Sequence, residues 1–334
     1  MFEFFITRPL GYIIQFAYNI VQNYGWSIII FTIVVKLLLL PLQIKSQKGM
    51  KKQQKVQPII AELQKKYAND KEKLQTEMMK VYKENNVSMT GGCLPLLIQM
   101  PIIFALYQVI QKPLSYLLNV DFKAAEVIDR ISDVVQKMAA DPAVAHAVEA
   151  IKNLAPEQLA ENVRKMHQIQ FLTWTRYLEE TVGGFSDWVL NFNFFGLDLS
   201  KNPSAAFSAI LGGDFSNISI ICLLLIPAIA VLSTWLSMRQ TQKMSGNKQK
   251  EAASNTGDAA DTMNSMNKSM NIVMPIMTGV FTITLPSAIG LYWIASNFMQ
   301  MVTQKILNAY FDKKEDDFVV KIPEKNRKNS KKRK

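Results

Sequence analysis

The chain alternates between long apolar stretches and polar, charged segments. The apolar stretches approach the length that a helix needs to cross a bilayer core of about 30 Å. We therefore predict an all-α, polytopic membrane protein, because helices satisfy their own backbone groups in lipid. Five transmembrane helices are expected, the last two forming a hairpin through Pro286 and Ser287, at residues 25–44, 92–118, 217–238, 269–286 and 287–305.

Residues 1–24 precede the first span and are only partly apolar. Arg8 and Pro9 divide the apolar residues, which leaves roughly a dozen from Leu10 to Val21. Because this length is too short to span comfortably, we predict an external interfacial amphipathic helix. A signal peptide or anchor is the alternative, although no charged region precedes the apolar core.

Charge differs between the polar segments and predicts their orientation. Residues 45–91 contain 11 basic and 5 acidic residues, and residues 303–334 contain the same numbers, whereas 119–216 contains 8 basic and 13 acidic residues. Basic loops are retained in the cytoplasm. We therefore expect 45–91, the loop 239–268 and the tail 306–334 to be cytoplasmic, with the N-terminus and 119–216 outside.

Helical periodicity continues in the two largest polar segments. In 45–91, two apolar stripes flank a break at Asn69 and Asp70, which predicts a helical hairpin; a solvated linker is the alternative. In 119–216 we predict a small helical insert, with helices starting at Asp141-Pro142 and Ala155-Pro156. Aromatic residues typical of a membrane interface precede the third span: Trp188, Phe192, Phe194 and Phe195.

The composition excludes several classes of function. Two Cys and two His residues offer no zinc site and no His-based triad. Phosphate-binding and hydrolase motifs are missing, and the apolar spans contain no Asp or Glu, so proton-coupled transport and intramembrane aspartyl proteolysis lose their usual acids. No enzymatic activity, metal or small-molecule cofactor is predicted.

One charged residue lies in the interior of an apolar span, away from its ends. Lys36 is near the middle of 25–44, where a cation costs about 2.5–3.5 kcal/mol on insertion scales and should face protein or water. Snorkelling is the alternative, but a Lys side chain reaches the interface poorly from the helix centre. Other polar residues of the spans could converge with Lys36 in a hydrophilic groove, or could simply join helices: Thr32, Gln99, Ser233, Ser237, Trp293, Asn297 and Gln300.

Two further features could bind partners. Met263, Met266 and Met270 belong to a stripe that enters the fourth span, and such a surface suits either the capture of apolar client segments or ordinary gap filling. The tail is strongly basic and predicts contact with nucleic acid or with anionic lipids. Its basic residues are Lys325, Arg327, Lys328, Lys331, Lys332, Arg333 and Lys334.

The order of the apolar motifs resembles the YidC/Oxa/Alb family of membrane protein insertases. The similarity covers all five spans and the hairpin between the first two. Its motifs are Trp26-Ser-Ile-Ile-Ile through Leu39-Leu-Pro-Leu42, Thr90-Gly-Gly-Cys-Leu-Pro-Leu-Leu-Ile-Gln-Met-Pro101 with Phe104-Ala-Leu-Tyr107, Met274-Pro-Ile-Met277 and Gly290-Leu-Tyr-Trp-Ile-Ala-Ser-Asn297.

The resemblance implies five helices around a hydrophilic groove in a bacterial cell membrane. Such a groove would receive polar stretches of nascent membrane proteins and release their apolar helices into lipid. The family pattern also implies a chaperone role, action alone or with the Sec translocon, and contact of the basic tail with ribosomes. The short chain resembles the Gram-positive-type members.

Two departures from the family pattern limit this transfer. Lys36 stands where the family usually has Arg, so the charge is retained and the guanidinium fork is lost. Residues 123–190 exceed the short external segment expected of the family. The alternatives are a small-solute or anion channel or carrier that uses Lys36, although the spans lack the paired repeats of carriers, and a receptor or scaffold that acts through its insert.

Overall fold

The computed structural model describes residues 3–67, 70–87, 94–165, 168–213, 218–244 and 272–313. These residues are mostly α-helical, and their β structure is one two-stranded antiparallel sheet. The chain divides into two compact units. The first comprises Met1–Val34, Met100–Ala228 and Phe281–Trp293, and the second comprises Val35–Gln99, Ile229–Val280 and Ile294–Lys334.

The helices follow the apolar and amphipathic segments of the sequence. They are α1 (Arg8–Val21), α2 (Tyr24–Leu38), α3 (Leu40–Lys66), α4 (Lys71–Glu84), α5 (Leu94–Gln111), α6 (Pro113–Tyr116), α7 (Ala125–Ala140), α8 (Pro156–Lys165), α9 (Gln168–Thr181), α10 (Ser204–Leu211), α11 (Ile218–Cys222), α12 (Leu225–Met244), α13 (Ile272–Thr284) and α14 (Ser287–Lys313). A π-helical turn, Glu3–Thr7, precedes α1, and 3-10 turns occur at Ala145–Ala147 and Ser186–Trp188. The strands are β1 (Asn193–Phe194) and β2 (Leu197–Asp198).

Few of these helices meet the length and composition expected of a membrane span. Ile220–Thr241 is long and apolar enough to cross a bilayer, and α2 with α3 would provide a second span if the bent pair is one segment. Met100–Gln111 and Ile272–Thr284 are apolar but shorter. The number of five spans therefore stays a prediction.

The first predicted span is bent rather than straight. α2 ends at Leu38, and α3 begins at Leu40 and continues to Lys66, at 60° to α2. Pro41 explains the break, because it has no N–H for the carbonyl four residues earlier and its ring collides with that carbonyl. Lys36 consequently lies in the last turn of α2 and not at the middle of a straight helix.

The first unit contains the helical insert that the sequence predicted. Helices α7, α8 and α9 pack together around an apolar core. The helix predicted after Asp141-Pro142 is wrong, because residues 144–154 form turns instead. Asp141 accepts hydrogen bonds from the Ala143 N–H (3.0 Å) and the Tyr177 hydroxyl (2.6 Å).

The aromatic residues before the third predicted span are partly a core feature. Trp188 and Phe192 are buried within the first unit, whereas Phe195 is 81% exposed. The Arg130 guanidinium lies 4.6 Å from the centre of the Trp188 ring, which adds a cation–π contact to the apolar packing. Trp188 and Phe192 are therefore covered by protein, and the position of the cluster relative to the membrane stays a prediction.

Main-chain atoms of residues 191–201 bind the N-termini of two apolar helices. The Tyr24 N–H, at the start of α2, donates to the Asn191 carbonyl at 2.9 Å, and the Ser287 N–H, at the start of α14, donates to the Lys201 carbonyl at 3.0 Å. The first N–H groups of a helix have no partner within the helix. This segment supplies that partner for both helices.

The second unit contains the predicted helical hairpin. α3 and α4 pack through the two apolar stripes that helical spacing indicated, and the stripes are confirmed as the packed faces. Asp70 caps α4 by accepting a hydrogen bond from the Lys73 N–H at 3.0 Å. The shared core consists of Val56, Ile60, Leu63, Leu74, Val81, Tyr82 and Val87.

Candidate functional site

Lys36 is the charged residue around which the predicted site is built. It lies in the second unit, in the last turn of α2, with 7% of its surface exposed. Among the described residues it makes no hydrogen bond and no ion pair. Burying an ammonium group is costly unless it is paired or hydrated. A charged amine at this position therefore has no compensating partner within the described part of the protein.

Asn297 joins α14 to α12 within the second unit. Its Nδ2 donates to the Ser233 Oγ at 3.0 Å and to the Thr234 Oγ1 at 2.9 Å. Ser233 is itself buried and donates to the carbonyl of Ala230 at 2.9 Å. The sequence had placed Ser233 and Asn297 in one polar site, and the structure brings them into direct contact.

The polar contact between α12 and α14 continues for two more turns. The Gln240 Nε2 donates to the Met301 carbonyl at 2.8 Å, and the Gln304 Nε2 donates to the Thr241 Oγ1 at 2.9 Å. Amide and hydroxyl groups therefore line the contact between two otherwise apolar helices. Hydrogen bonds of this kind commonly join helices within membranes.

The same face of α14 continues onto α3 of the hairpin. The Gln47 Nε2 donates to the Asn308 Oδ1 at 2.8 Å, and Lys51 pairs with Asp312. Sequence reasoning missed this extension, because it ended the fifth span at residue 305. The signal was present, since Gln304, Asn308 and Asp312 follow one another at intervals of four residues, which places them on one helix face.

The remaining predicted groove residues are less closely connected. Ser237 is buried and Gln300 is half-buried in the second unit, and neither side chain makes a hydrogen bond among the described residues. Thr32 and Trp293 belong to the first unit. Thr32 is buried, and its hydroxyl donates to the Ile28 carbonyl of its own helix at 2.7 Å.

The side chains of several predicted site residues lie outside the described part of the structure. Gln99 lies on α5, but its side chain is outside the described part of the structure. Two sets of predicted residues lie outside the described ranges. These are Met263, Met266 and Met270 of the methionine stripe, and the basic tail residues Lys325, Arg327, Lys328, Lys331, Lys332, Arg333 and Lys334.

The second unit thus presents one buried cation together with a row of amide and hydroxyl groups. These groups can supply charge attraction and hydrogen bonds to a polar chain. Within the described ranges, no group of three or more His, Cys, Asp or Glu side chains could hold a metal ion.

Comparison with known proteins identifies relatives for part of the chain. Three relatives named membrane protein insertase YidC align with it. The protein of Nitratidesulfovibrio vulgaris is 48% identical over 104 residues, which are 31% of this chain and 20% of the relative. The protein of Clostridium perfringens is 56% identical over 92 residues, 28% of this chain and 39% of the relative. The protein of Wolinella succinogenes is 39% identical over 129 residues, 39% of this chain and 23% of the relative.

The chain therefore spans less than half the length of each of these relatives. The family model described as 60Kd inner membrane protein, in contrast, matches residues 16–314. This match runs from within α1 to the end of α14 and includes the four motifs quoted above. Because it covers most of the chain, the protein belongs to the family of the 60Kd inner membrane protein, which is the YidC/Oxa/Alb family that its motifs resembled.

Proposed function

We propose that this protein is a membrane protein insertase and chaperone, which receives polar stretches of nascent membrane proteins and releases their apolar helices into the bilayer. Lys36 is the observation that carries the proposal. A buried cation without a carboxylate partner among the described residues would attract an acidic segment of a client. The names of the three relatives support the same activity.

The proposed groove combines this charge with groups that can replace water. A polar client segment in a membrane must keep its backbone and side-chain groups hydrogen-bonded. The row of amide and hydroxyl groups along α12 and α14 would hydrate or contact such a segment. Of the predicted groove residues, Ser233 and Asn297 are hydrogen-bonded to each other. Client binding to these groups would therefore include breaking that hydrogen bond.

The topology and the partners are proposed on the sequence pattern. Five spans would enclose the groove, with the N-terminus outside and the C-terminus in the cytoplasm of a bacterial cell. The basic tail would contact ribosomes or anionic lipids, the methionine stripe would capture apolar client segments, and the Sec translocon would be a further partner. Selective cysteine labelling of residues 45–91, 119–216 and 306–334 from each side of the membrane tests the topology.

The activity is tested by reconstitution of the purified protein into liposomes. A small single-spanning client with an acidic N-terminal tail is added, and its insertion is scored by protection from protease. We expect insertion by the wild type, retention of activity in Lys36→Arg, and loss in Lys36→Ala and Lys36→Glu. Lys305→Ala, which removes an exposed Lys of the same unit, serves as the matched control and should insert normally.

Equal insertion by the Ala, Arg and Glu variants would reject the charge mechanism while retaining the insertase activity. No insertion, combined with solute flux through the liposomes that Lys36→Ala abolishes, would instead indicate an anion channel or carrier. Deletion of residues 123–190 without effect on insertion would leave the external insert with a separate function.

A further inference from the structure

A cavity of about 600 Å³ lies in the first unit, where α1, α6 and α8 meet. All of its lining residues belong to that unit. Its walls are mostly polar, and α1 contributes Arg8 and Tyr12. The proposed groove of the second unit contributes no residue to this cavity. Its charged residues are Arg8, Lys112, Lys123, Arg164, Asp121 and Glu161.

The positive charge of this cavity exceeds what its acidic residues neutralise. The Arg164 guanidinium donates to both carboxylate oxygens of Glu161, at 2.6 and 2.7 Å, and with Lys165 it lowers the pKa of Glu161 to about 2. Glu161 is therefore ionised at neutral pH and its charge is already paired.

Once Arg164 and Glu161 are paired, the cavity has three further cations, Arg8, Lys112 and Lys123, and one further acidic residue, Asp121. In the part of the chain that the structure describes, none of these three side chains forms an ion pair. Asp121 caps its own loop, because its Oδ1 accepts the Lys123 N–H at 3.0 Å. The cavity thus has the electrostatics of an anion site, and Arg8 adds a guanidinium, which suits phosphate oxygens.

The exposed face of α1 indicates which kind of anion the cavity binds. One side of α1 packs within the first unit through Ile14, Ala17 and Tyr18. Large apolar side chains also stand exposed on a second side, at intervals of four or seven residues, and these are Phe5 (just before α1), Tyr12, Phe16 and Ile20, each more than 60% exposed. A helix with such a face is suited to lie in the membrane interface.

Arg8 connects the cavity to this apolar face. It precedes Tyr12 by four residues and therefore lies on the same side of α1. A molecule that fits both features carries a phosphate beside long apolar chains. We propose that the cavity binds the headgroup phosphate of an anionic phospholipid, with Arg8, Lys112 and Lys123 around the phosphate and the acyl chains along the exposed face of α1. This site requires a membrane around the protein but does not depend on the insertase activity.

Binding of short-chain lipids to the full chain in a neutral detergent tests this site. Native mass spectrometry or a fluorescence titration would compare dioctanoyl phosphatidylglycerol with dioctanoyl phosphatidylcholine and with glycerol 1-phosphate. We expect phosphatidylglycerol to bind more tightly than either. Each basic side chain near an anionic lipid contributes about a fivefold change in affinity. The variant Arg8→Gln/Lys112→Gln/Lys123→Gln should thus weaken binding on the order of a hundredfold.

A matched variant controls for the loss of three charges. Lys137→Gln/Lys152→Gln/Lys201→Gln removes three basic side chains of the same unit that do not line the cavity, and it should retain binding. The charge-conserving variant Arg8→Lys/Lys112→Arg/Lys123→Arg should also bind. Lys123→Gln, which changes one exposed loop residue, should weaken binding about fivefold even if the triple variant does not fold.

Three outcomes would overturn the proposal. If Lys137→Gln/Lys152→Gln/Lys201→Gln weakens binding as much as Arg8→Gln/Lys112→Gln/Lys123→Gln, the effect would come from the general positive charge of the unit and not from the cavity. Equal affinity for phosphatidylglycerol and phosphatidylcholine would remove the requirement for an anionic headgroup. Binding of glycerol 1-phosphate as tightly as the lipid would assign the cavity to a soluble phosphate compound.

Discussion

A single methyl group at Gly25 should destabilise the first unit. Gly25 lies in the first turn of α2, and a Cβ added there would lie 2.3 Å from Cδ2 and 2.5 Å from Cγ of Phe194. The Phe194 ring is in turn surrounded, with its centre 5.6 Å from the Trp26 ring and 4.7 Å from the Phe195 ring. Gly25→Ala therefore forces an aromatic cluster apart.

The size of the effect follows from these distances. Carbon atoms pack favourably at about 3.5–4.0 Å, so the ring must withdraw by more than about 1 Å. The Cβ of Phe194 is also only 2.9 Å away, which prevents relief by rotation of the ring alone. Overpacking of this kind typically costs about 1–3 kcal/mol. We expect Gly25→Ala to lower the free energy of unfolding by this amount.

Gly49→Ala is a matched control for the same substitution. Gly49 lies inside α3, and an added Cβ there meets no atom within 4 Å. Only the difference in helix propensity remains, which favours Ala by about 0.8–1.0 kcal/mol. Equilibrium unfolding by SDS from detergent micelles, followed by tryptophan fluorescence, would measure both variants. Gly25→Ala should be less stable than the wild type, and Gly49→Ala should be slightly more stable.

A second background isolates the contact with Phe194. In Phe194→Ala, two of the three closest atoms are removed, so Gly25→Ala should lose more than half of its cost. The reasoning is refuted if Gly25→Ala is as stable as Gly49→Ala, or if its cost is unchanged in the Phe194→Ala background.

Two further predictions concern polar contacts. Asn297→Leu removes the donor to Ser233 and should lower the free energy of unfolding by about 0.6–1.7 kcal/mol. Gln300→Leu loses no hydrogen bond to the described residues and should change this free energy less. Equal effects of the two substitutions in SDS unfolding would contradict this prediction. The Tyr177 hydroxyl lowers the pKa of Asp141 below its ordinary 3.8, so the ionised form stabilises the fold above that pH and the benefit disappears as the pH falls through the lowered pKa. Tyr177→Phe should therefore be less stable than the wild type at pH 7, with the difference in thermal midpoint vanishing at acidic pH; a constant difference would attribute the effect to packing alone.

The two stripes of the hairpin show what periodicity alone can predict. Positions such as Val56 and Ile60 on α3 and Leu74 and Val81 on α4 were expected to pack, and they form one core. The prediction succeeded because a helix of amphipathic sequence must cover its apolar face, and the adjacent helix is the nearest partner along the chain. Val148 is also buried, although its segment forms turns instead of the predicted helix.

Periodicity predicted less well where a single residue decides the geometry. The apolar run through residues 25–44 indicated one straight span, but Pro41 separates α2 from α3. Asp141 and Pro142 indicated a helix start, but the Asp141 carboxylate accepts a hydrogen bond from the hydroxyl of Tyr177, which lies far along the chain. Local propensity is a weak preference that such tertiary contacts override.

The sequence by itself determined the apolar segments, the distribution of charge, the presence of Lys36 and the motifs that identify the family. It also placed Ser233 and Asn297 on defined faces of their helices. Only the tertiary structure decided that these two side chains meet, that residues 191–201 cap α2 and α14, and that Arg8 belongs to a basic cavity. The reason is that helical phase fixes which residues share a face, whereas the partner of that face is chosen by the packing of segments that are distant in the chain.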